Sequence, residues 1–468
     1  MQEELIKVRP NAGNGLWLGF ILPIAIITSF IKYIDGSSEI YHYCFVFSLG
    51  LTYTTILFIA KYSKNQSVTL SAKQFLFPAI TIGCVFYIIF NNGALLCCYS
   101  GLLSTIGFYK LYLTILKNFP LSFTLGEALF CAQGFTIFLY SSAINLYYAI
   151  SIPLRTNLQI STFIIQVGLL CLTAICYLTY RYEYFRSTST FYKASVILVI
   201  FLLLLPLHLI LRQSPLLWIF ELITKDFNIL FMFIYWVLCS SCAIFLLSKQ
   251  IRGARKASTT VRKTFHILVI LVFLPGLLFE CTFVYLASGI ALGVFIALEH
   301  WHLRQTLLRI LKIPPLGNVL EDGFAVFSDQ KDAGNIALTP MYLLVGCSLP
   351  LWVHPAPCDV SDSGMLHLLP LISGLLSVGV GDASASYVGT MFGKHKWSGS
   401  NKTIEGTIGC ILSQVLMVYL LSISGYYYLQ PYDISKLLVA IVTVSLIEAK
   451  TTQVDNLVLP LLMYSILL

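Results

Sequence analysis

The run GLWLGFILPIAIITSFIKYI, residues 15–34, is one of two stretches that decide the fold class; the other is ASVILVIFLLLLPLHLIL, residues 194–211. A helix rises 1.5 Å per residue, so runs of about 18 to 20 residues match the roughly 30 Å hydrocarbon core of a bilayer. About fourteen such runs succeed one another, including 101–117 and 365–392, and a short apolar tail closes the chain at 456–468. We therefore predict an all-α, polytopic integral membrane protein with roughly 13–15 transmembrane helices.

The composition indicates the same class. The 468 residues are 57% hydrophobic and only 11% charged, whereas a soluble domain carries about 25% charged residues. The net charge of +8 suits loops that face the cytosol and anionic lipid headgroups, and nothing predicts a nucleic-acid partner. The first fifteen residues are polar, so we expect no cleavable signal peptide.

The 13 cysteines lie mostly inside apolar runs and lack the spacing of metal ligands. We expect small buried hydrophobic side chains rather than a disulfide framework. The cysteines on which this expectation rests are Cys84, Cys97, Cys98, Cys171, Cys176, Cys239 and Cys242.

Charged segments are concentrated after residue 250, at 249–263, 300–335, 393–406 and 448–456. Two apolar runs separate each segment from the next, and two spans return a chain to the side that it left. All four segments should therefore share one face of the membrane, and the Lys and Arg content of the first three predicts the cytosolic face. We divide the chain into an N-terminal multi-spanning region, 1–250, and a second membrane domain, 251–468, that carries the polar chemistry.

An acidic residue, Asp382, lies at or inside a span in the stretch GVGDASAS, 379–386. A charge at bilayer depth costs about 2.5–3.5 kcal/mol on insertion scales, so Asp382 is a candidate functional residue. Its small neighbours leave room for a ligand, but they equally suit close helix packing, as does the spacing of Gly389 and Gly393. Packing does not explain the carboxylate.

The loop after this span, KHKWSGSNKTIEG at 394–406, combines lysines, hydroxyls and glycines. Its lysines, with the N–H groups of a helix that starts near Thr403, would cradle phosphates. Asp382, 20 residues before Lys402, could hold the Mg²⁺ that a polyphosphate carries. A solvated loop on the positive side of the membrane would also explain Lys394 and Lys396.

The loop is not a P-loop, because three residues separate its glycines and His395 stands where Ser or Thr is required. The sequon at 401–403 would face the cytosol, so we do not expect glycosylation there.

The stretches GDASASYVGTMFGKHKW, 381–397, and NKTIEGTIG, 401–409, resemble the signature shared by CTP-using membrane enzymes: dolichol kinases, phytol and farnesol kinases, and phosphatidate cytidylyltransferases. Three more stretches are similar to dolichol kinases in particular: RKTFH at 262–266, FSDQKDAGNIALTPMYLLVGCSLPLW at 327–352, and EAKTTQVDNLVLP at 448–460. The resemblance covers roughly residues 260–460. One departure is SGSN at 398–401, where many members carry a proline.

This resemblance implies that the γ-phosphoryl group of CTP is transferred to the terminal hydroxyl of dolichol or another polyprenol, with Mg²⁺ or another divalent cation. It further implies the endoplasmic reticulum membrane, with the CTP site facing the cytosol, and a product, dolichyl phosphate, used in protein glycosylation. The domain 251–468 would then be a CTP-dependent lipid kinase domain.

The resemblance also implies roles for single residues. Asp382 would hold the cation, Asp455 and Asn456 would complete the metal site, and Lys402 would neutralise phosphate charge. Glu405 would orient Lys402 or bind metal, although a first-turn glutamate on a helix dipole explains it equally well.

Two other groups have open alternatives. Asp329 and Asp332 could hold a second cation, act as base, or belong to a solvated loop. Arg262, Lys263 and His266 could meet the triphosphate, although snorkelling to the interface also explains the two cations. The other residues expected to form the nucleotide site are Gly381, Ser384, Ser386, Gly393, Lys394, His395, Lys396, Trp397, Ser398, Gly399, Ser400, Asn401, Thr403 and Gly406.

Glu299, His300 and His302 suggest a metal cluster, but they do not offer three ligands at suitable spacing, so we interpret them as interfacial. Two alternative functions remain. A cytidylyltransferase would attack the α-phosphate with a lipid phosphate and release pyrophosphate, although its usual closing motifs are missing. A transporter or structural membrane protein would explain the spans alone.

Overall fold

The computed structural model describes residues 6–10, 12–65, 67–91, 93–252, 263–299, 339–358, 368–427 and 430–468. Within these ranges every regular element is a helix, apart from one isolated β-bridge between Lys396 and Thr403. Nine of the described helices are long and apolar enough to cross a membrane, and four shorter apolar helices accompany them. The prediction of an all-α polytopic membrane protein is confirmed.

The α-helices are numbered here in chain order: α1 Ile21–Lys32, α2 Glu39–Asn65, α3 Leu76–Phe90, α4 Ala94–Leu102, α5 Phe108–Asn118, α6 Leu125–Ser151, α7 Asn157–Arg181, α8 Thr188–Leu198, α9 Leu205–Leu211, α10 Pro215–Lys225, α11 Phe227–Arg252, α12 Thr264–Phe279, α13 Cys281–Glu299, α14 Thr339–Val353, α15 Leu368–Leu371, α16 Ala383–Phe392, α17 Ile404–Ile423, α18 Pro431–Lys450 and α19 Asp455–Leu467.

The last helix, α19, joins the two halves of the chain. Leu457 and Leu461 belong to a core built mainly by α1, α2, α5 and α6. Leu459 and Met463 belong to a second core, with side chains from α12, α14 and α18. The apolar tail predicted at 456–468 is therefore a helix that packs on both sides, because its side chains are apolar all round.

The predicted span 365–392 is helical over most of its described part and contains a π-helical segment, Leu375–Asp382, that continues directly into α16. Helices α16 and α17 then pack very closely. A Cβ added to Gly406 would lie 2.8 Å from the carbonyl oxygen of Ala385, so only glycine allows this approach. The small residues thus serve helix packing, as one interpretation of the sequence predicted.

The structure corrects three expectations, two of them on the extent of a helix and on a disulfide. The apolar run 101–117 is part of a longer helical span, Ala94–Asn118, because the helix continues through a π-turn at Leu103–Gly107. The expectation of no disulfide is wrong for Cys281 and Cys358, which are bonded although 77 residues apart in sequence. Packing of α13 against α14 brings them together, which spacing along the chain does not reveal.

The expectation of buried cysteines is also wrong in part. Cys97 and Cys171 are buried as expected, but Cys84, Cys98 and Cys242 are exposed on the surface of the helices.

Candidate active site

A cavity of about 540 Å³ opens where the start of α12 meets the ends of α16 to α19. This volume lies in the usual range for small-molecule sites. Described residues of three charged segments, 249–263, 393–406 and 448–456, converge on it. Its charged and polar lining consists of Lys263, His266, Tyr342, Asp382, Ser386, Thr390, Asn401, Lys402, Thr403, Thr407, Glu448, Asp455 and Asn456.

Asp382 is the last residue of the π-helical segment, and 6% of its surface is exposed. Its Oδ2 accepts a hydrogen bond from Lys263 Nζ and lies 3.2 Å from His266 Nε2. A π-turn changes the direction in which side chains leave a helix, and such turns are frequent at functional sites. The charge expected at bilayer depth is therefore paired with a cation from the segment that precedes α12.

Lys402 joins the other two carboxylates of the cavity. Its Nζ donates to the Glu448 carboxylate and, at 2.7 Å, to the Glu448 carbonyl oxygen, and it lies 3.6 Å from Asp455 Oδ2. Burial alone would lower the pKa of this ammonium group, but the carboxylates of Asp455, Glu448 and Asp382 raise it above its usual value. Lys402 is therefore held as an ammonium group by the carboxylates around it in this structure.

The three carboxylates fit a divalent cation. One ligand oxygen from each of Asp382, Glu448 and Asp455 lies within 4.8 Å of the other two. Asn456 Oδ1 is buried, lines the same cavity and has no hydrogen-bond partner among the described residues. A set of carboxylate and amide oxygens is the ligand type that Mg²⁺ prefers. Asp382, Asp455 and Asn456 are the metal residues expected from the sequence.

The loop between α16 and α17 is a small hairpin. Trp397 N donates to the Lys402 carbonyl oxygen at 3.0 Å, and a turn with Gly399 at φ +78° reverses the chain. Thr403 ends the hairpin and caps α17, accepting a hydrogen bond from Gly406 N at 3.1 Å. The helix expected to begin near Thr403 does so, and its first turn faces the cavity.

Only one end of this hairpin lines the cavity. Asn401, Lys402, Thr403 and Gly406 do so, together with Ser386 from α16. The remaining nucleotide-site candidates of the hairpin are outside the lining: Gly393, Lys394, His395, Lys396, Trp397, Ser398, Gly399 and Ser400. These eight stay predictions for contact with a bound nucleotide.

Trp397 instead supports the hairpin from outside the cavity. Its Nε1 donates to Thr407 Oγ1 at 2.9 Å, and Lys450 Nζ lies 5.8 Å from its ring centroid.

Glu405 and Ser384 also face elsewhere. Glu405 Oε1 lies 2.6 Å from His395 Nδ1 and accepts from His395 N at 3.2 Å, so it holds the base of the hairpin. The Ser384 hydroxyl donates to the Val380 carbonyl oxygen at 2.6 Å and contacts Ser413. Gly381 is a close-packing position, because an added Cβ would lie 2.8 Å from Gln414 Nε2.

Several candidates lie outside the described residues, namely Arg262, His300, His302, Asp329 and Asp332. Glu299 is described as the last residue of α13 and is not part of the cavity lining.

Glu448 is the charged residue of the described lining that the sequence analysis missed. It is 3% exposed near the end of α18 and supplies a third carboxylate. The signal was present, since Glu448 is acidic, stands at the end of an apolar run and opens the segment 448–456. In that segment, only Asp455 and Asn456 were predicted as metal residues.

The fold and the cavity define a polytopic helical membrane protein with a buried carboxylate and lysine site at one end of its bundle. Comparison with known proteins then gives the family. The family model for dolichol kinase matches residues 101–342, and the chain belongs to the dolichol kinase family. Because this match ends before Asp382, the roles of the cavity residues rest on their geometry.

Curated relatives include dolichol kinases of Bos taurus and Homo sapiens. Each is 32% identical over 373 residues, which is 77% of this chain and 68% of the relative. The dolichol kinase of Mus musculus is 36% identical over 291 residues, 60% of this chain. The matched region spans about half the length of the mouse relative and about two thirds of the other two. No solved structure matches the chain.

Proposed function

We propose that this chain is a dolichol kinase that transfers the γ-phosphoryl group of CTP to the terminal hydroxyl of dolichol. The observation that carries the proposal is the cavity itself, where three carboxylates and two lysines converge at the ends of membrane helices. A polyprenol presents its hydroxyl only near the bilayer surface, whereas CTP arrives from water. A site built from helix ends and a hairpin gives both substrates access.

The charge balance of the cavity supports a cation-dependent reaction. Asp382, Glu448 and Asp455 supply three carboxylates, beside two ammonium groups from Lys263 and Lys402 and the imidazole of His266 among the described lining residues. The three carboxylates would repel a polyphosphate that arrived without a cation. A divalent cation held by Asp382, Glu448 and Asp455 would supply charge neutralisation for the phosphates and for the transferring group.

The lysines would then exchange partners. In the structure, Lys263 pairs with Asp382 and Lys402 pairs with Glu448. If those carboxylates held a cation, the ammonium groups of Lys263 and Lys402 could bind phosphate oxygens instead. Phosphoryl transfer depends mainly on positioning and on electrostatic stabilisation, which this arrangement provides.

The reaction forms a bond between the alcohol oxygen and the γ-phosphorus and breaks the bond to the β-phosphate oxygen, so CDP leaves. The proton of the alcohol must pass to a base. Asp329 and Asp332 stay candidates for this base.

The disulfide supports a cytosolic orientation of the site in the endoplasmic reticulum membrane. Lys263, just before α12, and Tyr342, near the start of α14, line the cavity. Cys281 and Cys358 come after the far ends of these two helices. Disulfides persist in oxidising compartments such as the lumen of the endoplasmic reticulum, which supports a cavity on the opposite, cytosolic side.

The test uses membranes that contain the full chain, CTP labelled at the γ-phosphate, and dolichol, phytol or phosphatidate in parallel. Label in dolichyl phosphate is the expected result. Label that appears only in pyrophosphate would instead indicate a cytidylyltransferase. Lys402→Gln should lower kcat about 10²-fold. Lys225 is an exposed lysine at the end of α10, and Lys225→Gln should leave kcat unchanged.

A further inference from the structure

Two residues near the N-terminus, Arg9 and Gly13, contact the turn that carries part of the candidate cation site. Gly13 N donates to Thr452 Oγ1 at 3.1 Å, and Gln453 Nε2 donates to the Gly13 carbonyl oxygen at 2.8 Å. Arg9 Nη2 reaches the Thr452 carbonyl oxygen at 3.3 Å. Segments more than 430 residues apart in sequence are thus hydrogen-bonded side by side.

One buried carboxylate ties this contact to α6. Glu127 is fully buried, and its Oε1 accepts from Arg9 Nη2 at 2.5 Å and from Val454 N at 2.9 Å. Its Oε2 accepts from Thr124 N at 2.9 Å, which completes the capping box of α6. A buried carboxylate needs such partners, because desolvation otherwise disfavours its charge.

The same capping box holds the turn through a second bond. Thr124 Oγ1 accepts from Glu127 N at 3.2 Å and donates to Gln453 Oε1 at 2.7 Å. The backbone at Gly15 can approach α6 only because Gly126 lacks a side chain, since a Cβ on Gly126 would lie 1.7 Å from the Gly15 carbonyl oxygen. Residues 452–454 are therefore held by three side chains from the first half of the chain.

The turn at residues 452–454 leads directly into two residues of the candidate cation site. Val454 directly precedes Asp455, the first residue of α19, and Asn456 comes next. Both Asp455 and Asn456 line the cavity, so the backbone at 452–454 sets the position from which their oxygens reach a cation. Partners that orient metal ligands from behind commonly affect metal affinity by about 10–100-fold.

We infer that Arg9, Thr124 and Glu127 are positioning residues for the cation site, acting through residues 452–454 on Asp455 and Asn456. The inference rests on the proposed cation site. It gives the N-terminal half of the chain a function in the reaction, since that half completes the geometry of a site whose ligands come from the second half.

Two capping boxes of the same kind provide a matched test. Thr156 and Gln159 form such a box at the start of α7, with no described bond to residues 451–456. Thr124→Ala and Thr156→Ala remove the same cap, but only Thr124→Ala also removes the bond to Gln453. Thr124→Ser keeps the hydroxyl and serves as the rescue.

The measurement is Mn²⁺ binding to the full chain in lipid nanodiscs, monitored by electron paramagnetic resonance of free Mn²⁺, and phosphorylation of dolichol against Mg²⁺ concentration. Thr124→Ala should raise the Mn²⁺ Kd and the half-saturating Mg²⁺ concentration about tenfold, with kcat at saturating Mg²⁺ within about threefold of the parent. Thr156→Ala and Thr124→Ser should stay within about twofold. The increases in the Mn²⁺ Kd and in the half-saturating Mg²⁺ concentration should be larger for Glu127→Gln than for Thr124→Ala.

Equal Mn²⁺ affinity in Thr124→Ala and Thr156→Ala would overturn the inference. A parent chain that phosphorylates dolichol but binds no Mn²⁺ would also overturn it, while leaving the kinase proposal standing. If Thr124→Ala binds Mn²⁺ more weakly than the parent, but the parent does not phosphorylate dolichol, the inference is supported and the kinase proposal is refuted.

Discussion

Two buried ionic clusters lie at the same end of the bundle, and they are built differently. The pair of Arg9 and Glu127 is balanced, with one cation, one anion and both carboxylate oxygens hydrogen-bonded. The cavity cluster is unbalanced in carboxylates, with three of them against two lysines and the imidazole of His266 among the described residues. A balanced pair of charges holds structure together, whereas three carboxylates so close together offer the oxygen ligands of a cation site.

The largest expected effect is on catalysis in the unbalanced cluster. Asp382→Asn should lower kcat for dolichol phosphorylation about 10³-fold, because it removes a carboxylate from the centre of the cation site. Asp433→Asn, at the other end of the helix that carries Glu448, is the control and should retain activity. Full activity in Asp382→Asn would refute the cation role.

The next effect is on stability in the balanced pair. Glu127→Gln should lower the free energy of unfolding by about 3–5 kcal/mol, because it leaves the Arg9 charge buried without its anion. Thermal unfolding of the purified chain in detergent measures this. A midpoint equal to that of the parent would show that the pair does not hold the two halves together.

A smaller effect distinguishes the two clusters, because Asp455→Asn should change metal binding more than stability. Asp455→Asn should change stability by less than about 1 kcal/mol without metal, since Lys402 keeps its bond to Glu448. Mg²⁺ should raise the unfolding midpoint of Asp455→Asn less than that of the parent. The stabilisation that a ligand gives depends on its affinity for the folded protein, and Asp455→Asn lowers that affinity. A loss of midpoint as large as that of Glu127→Gln would remove the distinction between the clusters.

The smallest effect is expected in the hairpin. Glu405→Gln should raise KM for CTP about threefold with little change in kcat, because Glu405 holds His395 at the base of the hairpin rather than lining the cavity. Steady-state kinetics at varied CTP decides this. A loss in kcat comparable with Asp382→Asn would instead place Glu405 among the reacting groups.

Much of the candidate site could be predicted from the sequence. Asp382, Lys402, Asp455 and Asn456 were each singled out, and the structure brings all four into one cavity. Ser384 lies outside the lining, and its place in the stretch GVGDASAS does not reveal which way its hydroxyl points along a helix with a π-turn.

The lysines of the hairpin show the same limit. Lys394 and Lys396 share a short loop with Lys402, yet only Lys402 lines the cavity. The pairing of Trp397 with the Lys402 backbone fixes which side of the hairpin faces inward, and composition carries no information about that pairing.

By itself, the sequence determined the membrane class and the approximate spans, and it predicted that charged segments gather at one face, as described residues of three of the four do. These features depend on local properties, because the length of an apolar run and the cost of a charge in hydrocarbon need no partner. The tertiary structure decided which polar side chains meet: Glu448 with Asp382, Cys281 with Cys358, and Arg9 with the turn before Asp455. Such meetings depend on how helices rotate and pack against each other, which is a property of the whole chain and not of any segment.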